Sequence, residues 1–546
     1  MPTAEELARL EIDRLLAMTG WSVQDYKKVD LSAGRGIAVR ELELAKGFGT
    51  ADYLLYVDGK AVGIIEAKKQ GATLTGVEVQ SGKYSQGLPE ALPAWRRPLP
   101  FIYESTGLET HFSNRLDPEP RARNVFAFHR PETLVDWLGA PSGTSTGTRG
   151  AVIPAKAGIR FPALATGEAP VTYALDTFLT RFRQMPALVT EWGDFKLWPA
   201  QITAIRNLKA SLAQNKPRAP IQTATGSGKT FTAISFIYRL IKFAGARREP
   251  FLVDRGNLGR QTKKEFDQYV SPVNNYRFGE EYIVQHLTSN TLDTTARVCI
   301  CTIQRMYSML KGRELPEEAD EESTERMESL FSEPEPVDYN PAFPIETFDN
   351  IVTDEAYRSI YNLWRQVLEY FDAYLVGLTA TPCKQTFGFF NQNLVMEYGH
   401  PQAVADCINV NYDVNRIKTE VTEAVSKVEA GYWLQVPDKP TRARRDWQPH
   451  DDFEYAPEEL DRSVQTPVQI RTIARTLRDR WQTDLFPQRQ ELPKTLVFAK
   501  ERGGSGEHPV NARPPSDHAD AMVGILREEW AAATNRVRSN RQTPQG

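Results

Sequence analysis

IQTATGSGKT, from Ile221 to Thr230, joins an apolar run to a loop in which Gly226 and Gly228 carry no side chain. Backbone N–H groups can close around phosphate oxygens in such a loop, at the mouth of the helix that Lys229 opens. Thr225, Gly226, Ser227 and Gly228 would form the cradle, with Lys229 reaching the β and γ phosphates and Thr230 the Mg²⁺. The full spacing asks for glycine five residues before Gly228, where Thr223 stands. A glycine and serine loop can also be an ordinary tight turn, so the residues downstream carry the distinction.

Phe348, Ile351 and Val352 lead to Asp354 and Glu355, as a buried parallel strand would deliver carboxylates to its C-terminal edge, where ligands bind in open α/β sheets. Asp354 is expected to hold Mg²⁺ through water, and Glu355 to orient or deprotonate the attacking water. Leu375 to Leu378 form another apolar run, ending in Thr379, Ala380 and Thr381. That triplet resembles the helicase motif that couples hydrolysis to domain movement. Loop, acids and triplet together point to ATP and Mg²⁺ as cofactors, and resemble superfamily 2 helicases, which tolerate the departure at Thr223.

The first 130 residues carry a second pattern. Thr3 with Glu6 is a capping-box signature, and Leu7, Leu10, Ile12, Leu15 and Leu16 make an apolar stripe up to Gly20, so a helix opens the chain. Tyr53 to Val57 and Ala61 to Glu66 read as strands joined around Asp58 and Gly59, a strong hairpin signal. Asp52 begins the first strand and Glu66 ends the second, which sets two carboxylates side by side with Lys68 on the same face. A strict two-residue loop would oppose Asp52 to Ile65 instead, so this pairing requires a bulge or a three-residue loop. Asp52, Glu66, Ala67 and Lys68 resemble a PD-(D/E)xK nuclease site, in which the acids bind Mg²⁺ and the lysine positions the attacking water. Charged strand ends are also common on surfaces. Gln80 and Tyr84, at i and i+4 on an expected helix, are either a polar face or the accessory motif of one branch of that nuclease family. Whether Glu6 joins the site is left open.

At 546 residues, with 41% hydrophobic and 25% charged, the chain should hold several globular domains. It has no apolar run near the roughly 18 residues that span a bilayer, no signal-peptide start, and four scattered cysteines unsuited to a disulfide framework. A net charge of −4 leaves any nucleic-acid contact to local patches, such as Lys242, Arg247 and Arg248, or Arg442, Arg444 and Arg445 beside Trp447. The acidic run from Glu314 to Glu335 reads as a solvated loop without chemistry.

A nuclease pattern followed by a superfamily 2 motor resembles the restriction (R, motor and endonuclease) subunit of type I restriction-modification enzymes. DYLLYVDGKAVGIIEAKK at 52–69, FLVDRGNLGRQT at 251–262, CTIQRM at 301–306 and RSIYN at 358–362 resemble that family as well. The resemblance implies an α/β protein with a PD-(D/E)xK nuclease domain over 1–130 and a linker over 131–180, with a Gly/Ser/Thr-rich insertion at Pro141 to Pro162. A complete first RecA-like lobe over 181–395 and a partial second lobe with a disordered tail over 396–546 would follow. It implies ATP-driven translocation and cleavage of double-stranded DNA, methyltransferase (M) and specificity (S) partner subunits, no membrane partner and a cytoplasmic setting.

Carried over by residue, Asp52, Glu66 and Lys68 would cut, while Lys229, Thr230, Asp354 and Glu355 would bind and hydrolyse Mg-ATP. Gln201, after Trp198 and Pro199, resembles the glutamine that reads adenine, or is an exposed polar residue on a helix. Arg255, Asn257 and Gln261 match a motif lying along the DNA backbone, where a basic side chain and amides suit phosphate oxygens. The family's Cys-His after the acids is here Ala356 and Tyr357, which puts coupling to the other lobe in doubt.

PKTLVFAK at 493–500 resembles the first strand of a second lobe, with Asp517 and His518 fitting the following helix start. Too few residues follow to complete that lobe or its arginine finger, so a truncated R subunit is expected, with impaired activity. Gly503 to Pro515 reads as inserted and 535–546 as disordered. The rivals are a stand-alone helicase or translocase with a DNA-binding N-terminal domain, and a non-catalytic remnant that binds nucleotide or DNA.

Overall fold

The computed structural model describes residues 3–74, 78–139, 177–321, 335–356, 362–415, 427–428, 434–437, 444–447, 453–454, 467–498 and 517–541. The chain forms two compact units, Met1–Asn411 and Tyr412–Gly546.

The first unit holds two seven-stranded sheets. In the N-terminal one, β1 (Trp21–Asp25), β2 (Gly36–Glu43), β3 (Thr50–Val57), β4 (Lys60–Ala67), β5 (Phe101–Ser105), β6 (Thr110–Asn114) and β7 (Arg123–Val125) lie in chain order. Pairing is antiparallel except at β1–β2 and β4–β5. Tyr53, Leu55, Ile65 and Tyr103 point to one core with Ile12 and Leu16 of α1 (Ala4–Met18), while Leu54, Tyr56, Ile64 and Ile102 face the other, beside Tyr84 of α2 (Glu78–Gln86). Burial on both faces explains why β3 and β4 are apolar almost throughout.

Asp58 and Gly59 both take positive φ, as a two-residue hairpin turn with right-handed twist demands. Next to the turn Tyr56 pairs with Ala61, but beyond it Leu55 pairs with Gly63 and Tyr53 with Ile65, so one residue is bulged. That shift brings Asp52 opposite Glu66. Gly63 is required here, because a Cβ would lie 2.4 Å from the Phe101 carbonyl oxygen and force β5 away.

The second sheet follows the small hairpin of β8 (Glu191–Trp192) and β9 (Phe195–Lys196). It comprises β10 (Arg218–Thr223), β11 (Glu249–Val253), β12 (Val284–His286), β13 (Val298–Thr302), β14 (Asn350–Thr353), β15 (Tyr374–Thr379) and β16 (Met396–Tyr398) in the order β12-β13-β11-β14-β15-β10-β16, all parallel. Its continuously apolar strands make up much of two cores, packed by flanking helices. This is a RecA-like lobe, with the glycine loop leaving the C-terminal end of β10.

The expected boundaries move. α3 (Pro131–Trp137), placed by sequence in a linker, buries Leu134 and Val135 in the N-terminal core. α4 (Phe178–Arg183) buries Leu179 and Phe182 in the lobe. The lobe runs past 395, since β16 pairs with β10. The insertion at 141–162 lies outside the described residues.

Buried ion pairs join the two parts of this unit. Asp372, just before β15, accepts from Arg123 Nε at 2.6 Å and Arg123 Nη2 at 2.7 Å, and meets His129 Nε2 at 2.8 Å. Glu346, before β14, accepts from Arg130 Nε at 2.8 Å and Thr133 Oγ1 at 2.6 Å. The N-terminal domain thereby grips the starts of the two strands whose far ends carry Asp354, Glu355 and Thr379.

In the second unit the described residues include no parallel sheet of the kind expected for a partial RecA-like lobe. Its described strands are two short antiparallel pairs, Lys427–Val428 with Phe453–Glu454 and Leu434–Pro437 with Arg444–Trp447. Residues 493–498 of the expected first strand have no strand partner, and Leu496 and Phe498 are 77% and 86% exposed. A central parallel strand needs neighbours on both edges, and none is described in this unit. Helices Pro467–Arg480 and Asp517–Arg541 pack through Ile470, Ala474 and Ile525, with Glu529 accepting from Arg471, Arg475 and Arg478. The second helix starts at Asp517 as expected but continues to Arg541, where disorder was expected from 535. Residues 535–541 contain no glycine or proline to end the helix. Residues 503–515 and 542–546 lie outside the described residues.

Candidate functional site

The phosphate loop is built by backbone conformation. Gly226 and Gly228 sit at φ 80° and 77°, where side chains are strained, and a Cβ on Gly228 would fall 2.4 Å from Gln201 Nε2. α6 (Lys229–Arg239) begins at once. Thr230 lies in its first turn, half-buried. Ser227 is buried, its hydroxyl donating to the Ala224 carbonyl at 2.5 Å, and Thr225 is exposed at the loop's crest. Thr223 ends β10, buried and paired in register with Tyr398, so the missing glycine is a strand residue here rather than part of the turn.

Of the two readings of Gln201, the exposed polar residue on a helix does not hold. Gln201 is buried in the first turn of α5 (Pro199–Ala213), accepts from the Trp198 N–H at 2.9 Å, and directs Nε2 at the Gly228 carbonyl, 3.5 Å away. It therefore braces the loop.

β14 delivers Asp354 and Glu355 to the same edge. Lys229 Nζ lies 3.1 Å from Glu355 Oε1 and 3.8 Å from Asp354 Oδ1. Burial pushes the Asp354 carboxyl above its ordinary value, opposed by Lys229 and reinforced by Glu355. Glu355 holds φ at +47°, a conformation costing about 1 to 3 kcal/mol for a non-glycine residue and concentrated at functional sites. A Glu355 N–H to Asp354 Oδ1 bond of 3.0 Å fixes that turn. Glycines that open a cradle and a cation facing paired acids fit a Mg-nucleotide.

Thr379 is fully buried at the end of β15 and its hydroxyl accepts from the Thr381 N–H at 3.1 Å, with Ala380 between them. Ala356 is buried against Gly377, where a larger residue would crowd β15. Tyr357 and the following arginine lie outside the described residues.

The second candidate centre sits on the N-terminal sheet. Asp52 Oδ2 accepts from the Ala67 N–H at 2.8 Å, which locks the two strand ends together, and Glu66 Oε1 accepts from Lys68 Nζ at 2.8 Å. Glu66 is 4% exposed, and its Oε2 is buried without a hydrogen bond. Burial raises both carboxyls above their ordinary values, Lys68 opposing it at each. Burial acts to lower the Lys68 ammonium, but Glu66 and Asp52 outweigh it and lift it. Among the described residues no three His, Cys, Asp or Glu side chains converge tightly enough to hold a metal alone. An unsatisfied buried carboxylate oxygen beside a second acid still fits Mg²⁺, which keeps several waters and takes one or two carboxylates. Gln80 and Tyr84 both lie on α2, with Tyr84 half-buried; the Gln80 side chain lies outside the described residues. Glu6 is spent on the capping box with Thr3, accepting from its N–H at 2.7 Å.

Three neighbours escaped the sequence. Arg9 of α1 donates to Asp52 Oδ1 at 2.9 Å and to Glu41 at 2.6 Å, a contact across the fold that no local pattern marks. Glu104 stands in register with Glu66 and is buried; like Glu66, it sits near the end of an apolar strand, a signal that was available. Asn409 Nδ2 donates to the Thr225 carbonyl of the phosphate loop at 3.0 Å.

Among the expected DNA-contacting residues, Arg255 is half-buried, 3.8 Å from Asp254, and Gln261 donates to Glu265 at 3.3 Å on the open face of α7 (Gly256–Gln268). The Asn257 N–H is taken by Glu321. Of the basic clusters, Lys242 pairs with Glu281, Arg247 with Asp349, and Arg248 donates to carbonyls of 293, 294 and 296. The side chains of Arg442, Arg444, Arg445 and Trp447 lie outside the described residues. No helix among the described residues is long and apolar enough to cross a membrane.

Comparison with known proteins agrees with this architecture. A family model for the res subunit of type III restriction enzymes matches residues 194–384, and one for the second domain of the type I restriction enzyme EcoKI endonuclease subunit matches 22–98. The chain is 23% identical to the EcoKI endonuclease subunit of Escherichia coli K12 over 478 residues, covering 75% of this chain and 35% of that protein. It is 27% identical to the EcoAI endonuclease subunit of Escherichia coli over 312 residues, covering 55% and 32%. It thus spans about a third of the length of these curated relatives. A solved fragment assigned to the HsdR subunit of a type I restriction enzyme from Vibrio vulnificus YJ016 aligns over 98% of this chain and 76% of that one, at 17% identity and a TM-score of 0.34.

Proposed function

Starting from this chain's membership of the type I restriction endonuclease-subunit family, we propose that it hydrolyses Mg-ATP on its parallel sheet and cleaves double-stranded DNA on its N-terminal sheet. The observation that carries the ATPase reading is the meeting of Lys229 with Asp354 and Glu355 across 126 residues of chain, at the mouth of a glycine loop. When bound, Mg²⁺ supplies neutralising charge for the phosphates. Lys229 then leaves Glu355 for phosphate oxygens, freeing that carboxylate to orient or take the proton of the attacking water. Asp354 holds the ion through water, and Gln201 keeps the loop seated on α5.

At the second centre Asp52 and Glu66 bind the ion, and Lys68, held by Glu66, positions the water that attacks the phosphodiester. Gln80 and Tyr84 serve as the accessory motif of that nuclease site. Arg255, Asn257 and Gln261 lie along the duplex backbone, and Thr379, Ala380 and Thr381 relay nucleotide state. The site of action is the cytoplasm, in complex with methyltransferase and specificity subunits.

Mg²⁺- and DNA-dependent ATP hydrolysis by the purified chain, with Lys229→Ala beside it, tests the reading. DNA-stimulated turnover lost in the variant is expected. Turnover unchanged in Lys229→Ala would overturn it.

A further inference from the structure

The start of the acidic stretch after β13, up to Glu321, is not simply solvated. Helix Ile303–Lys311 leads to a 3₁₀ turn, Glu317–Glu321, in which Asp320 is 6% exposed. Asp320 accepts from Arg305 Nε at 2.8 Å and from Thr302 Oγ1 at 2.5 Å, and the Arg305 side chain is fully buried. This ion pair anchors the next residue over the first turn of α7. There Glu321 Oε2 accepts from the Asn257 N–H at 3.1 Å, and Oε1 meets Arg260 Nη2 at 2.7 Å. A Cβ on Gly256 would come within 3.1 Å of that same Oε1, so the glycine makes room for the oxyanion.

The seat has the parts of a phosphate site: a first-turn N–H with no partner inside the helix, a guanidinium and a space with no side chain. It lies on the helix that Arg255 precedes and that carries Gln261. We propose that Glu321 is an intramolecular stand-in for a nucleic-acid phosphate, seated where the duplex backbone docks, and that DNA must displace it. The acidic turn is then a charge gate on the DNA track, and Arg260 is the phosphate contact beneath it. This rests on the reading of Arg255, Asn257 and Gln261 as DNA contacts.

The test is fluorescence anisotropy of a labelled blunt duplex, without Mg²⁺, on the full chain and on Glu321→Gln, Arg260→Ala, their double variant and Arg255→Ala. Thermal melting is recorded for each. Removing one exposed competing charge should tighten binding roughly two- to five-fold in Glu321→Gln. Arg260→Ala should bind more weakly, and the double variant no tighter than Arg260→Ala. If Arg255→Ala weakens binding while Glu321→Gln changes only the melting temperature, the DNA track stands, Glu321 is merely a helix cap, and the gate is overturned. If neither the parent nor any variant binds duplex, the track falls and the gate with it.

Discussion

Lys229 Nζ donates to Glu355 Oε1 at 3.1 Å, so the cation of the glycine loop is held by the acid we propose activates water. The pair neutralises itself until phosphate competes for the lysine. It also separates the roles of two residues that a loss of activity alone would confound. Lys229→Ala should weaken ATP binding and lower kcat by on the order of 10² to 10³. Glu355→Gln should retain ATP binding while turnover falls by roughly 10² to 10⁴. Nucleotide-binding titrations beside steady-state hydrolysis distinguish them, and equal loss of ATP binding in both would contradict the assignment.

Lys68 stands 2.8 Å from Glu66 on the other sheet, away from the phosphate loop. Lys68→Ala and Asp52→Asn are therefore expected to abolish duplex nicking and cleavage with ATP hydrolysis unchanged. Gel assays of supercoiled plasmid, run with ATPase on the same preparations, check this. Undiminished cleavage by Lys68→Ala would favour a domain that only binds DNA.

Asp372 ties the N-terminal domain to the start of β15. Burial acts to raise its carboxyl, but Arg123 and the His129 hydrogen bond outweigh it and hold it well below the ordinary value. A depressed folded-state value means stability that is complete above the unfolded value of about 3.9 and drains away as pH falls below it. Asp372→Asn should cost on the order of 3 kcal/mol at neutral pH, since it leaves the Arg123 charge buried. It should also flatten the acid limb of a plot of Tm against pH. An unaltered limb would show that Asp372 is not the group responsible.

Glu249 is fully buried in β11, with Asn350 Nδ2 donating to its Oε2 at 2.6 Å and Oε1 lacking a partner. Burial pushes its carboxyl well above the ordinary value. Here the sign is opposite: stability is full below the unfolded value of about 4.3 and is lost as pH rises towards the folded one. Glu249→Gln keeps the shape without the charge, so its Tm should exceed the parent's by a margin that widens from acid to neutral pH. A Tm below the parent's at pH 8 would refute this.

What was legible in the chain was what is local. The positive φ of Gly226, Gly228, Asp58 and Gly59 follows from which residues tolerate that conformation, and the apolar runs into Asp354 and Thr379 follow from strands buried on both faces. The need for a bulge between Asp52 and Glu66 was legible too, because side chains alternate with period two. Its position was not, since the close approach of Gly63 to Phe101 depends on a strand nearly forty residues away. Tertiary structure alone brought Arg9 to Asp52, Asn409 to Thr225, Asp372 to Arg123 and His129, and Glu321 to Asn257. Each joins segments far apart in the chain, where charge and burial are satisfied by whichever partner the packing presents. The acidic run shows this most clearly: composition marks it as solvated, and only the buried guanidinium of Arg305 draws Asp320 into the fold and sets Glu321 on α7.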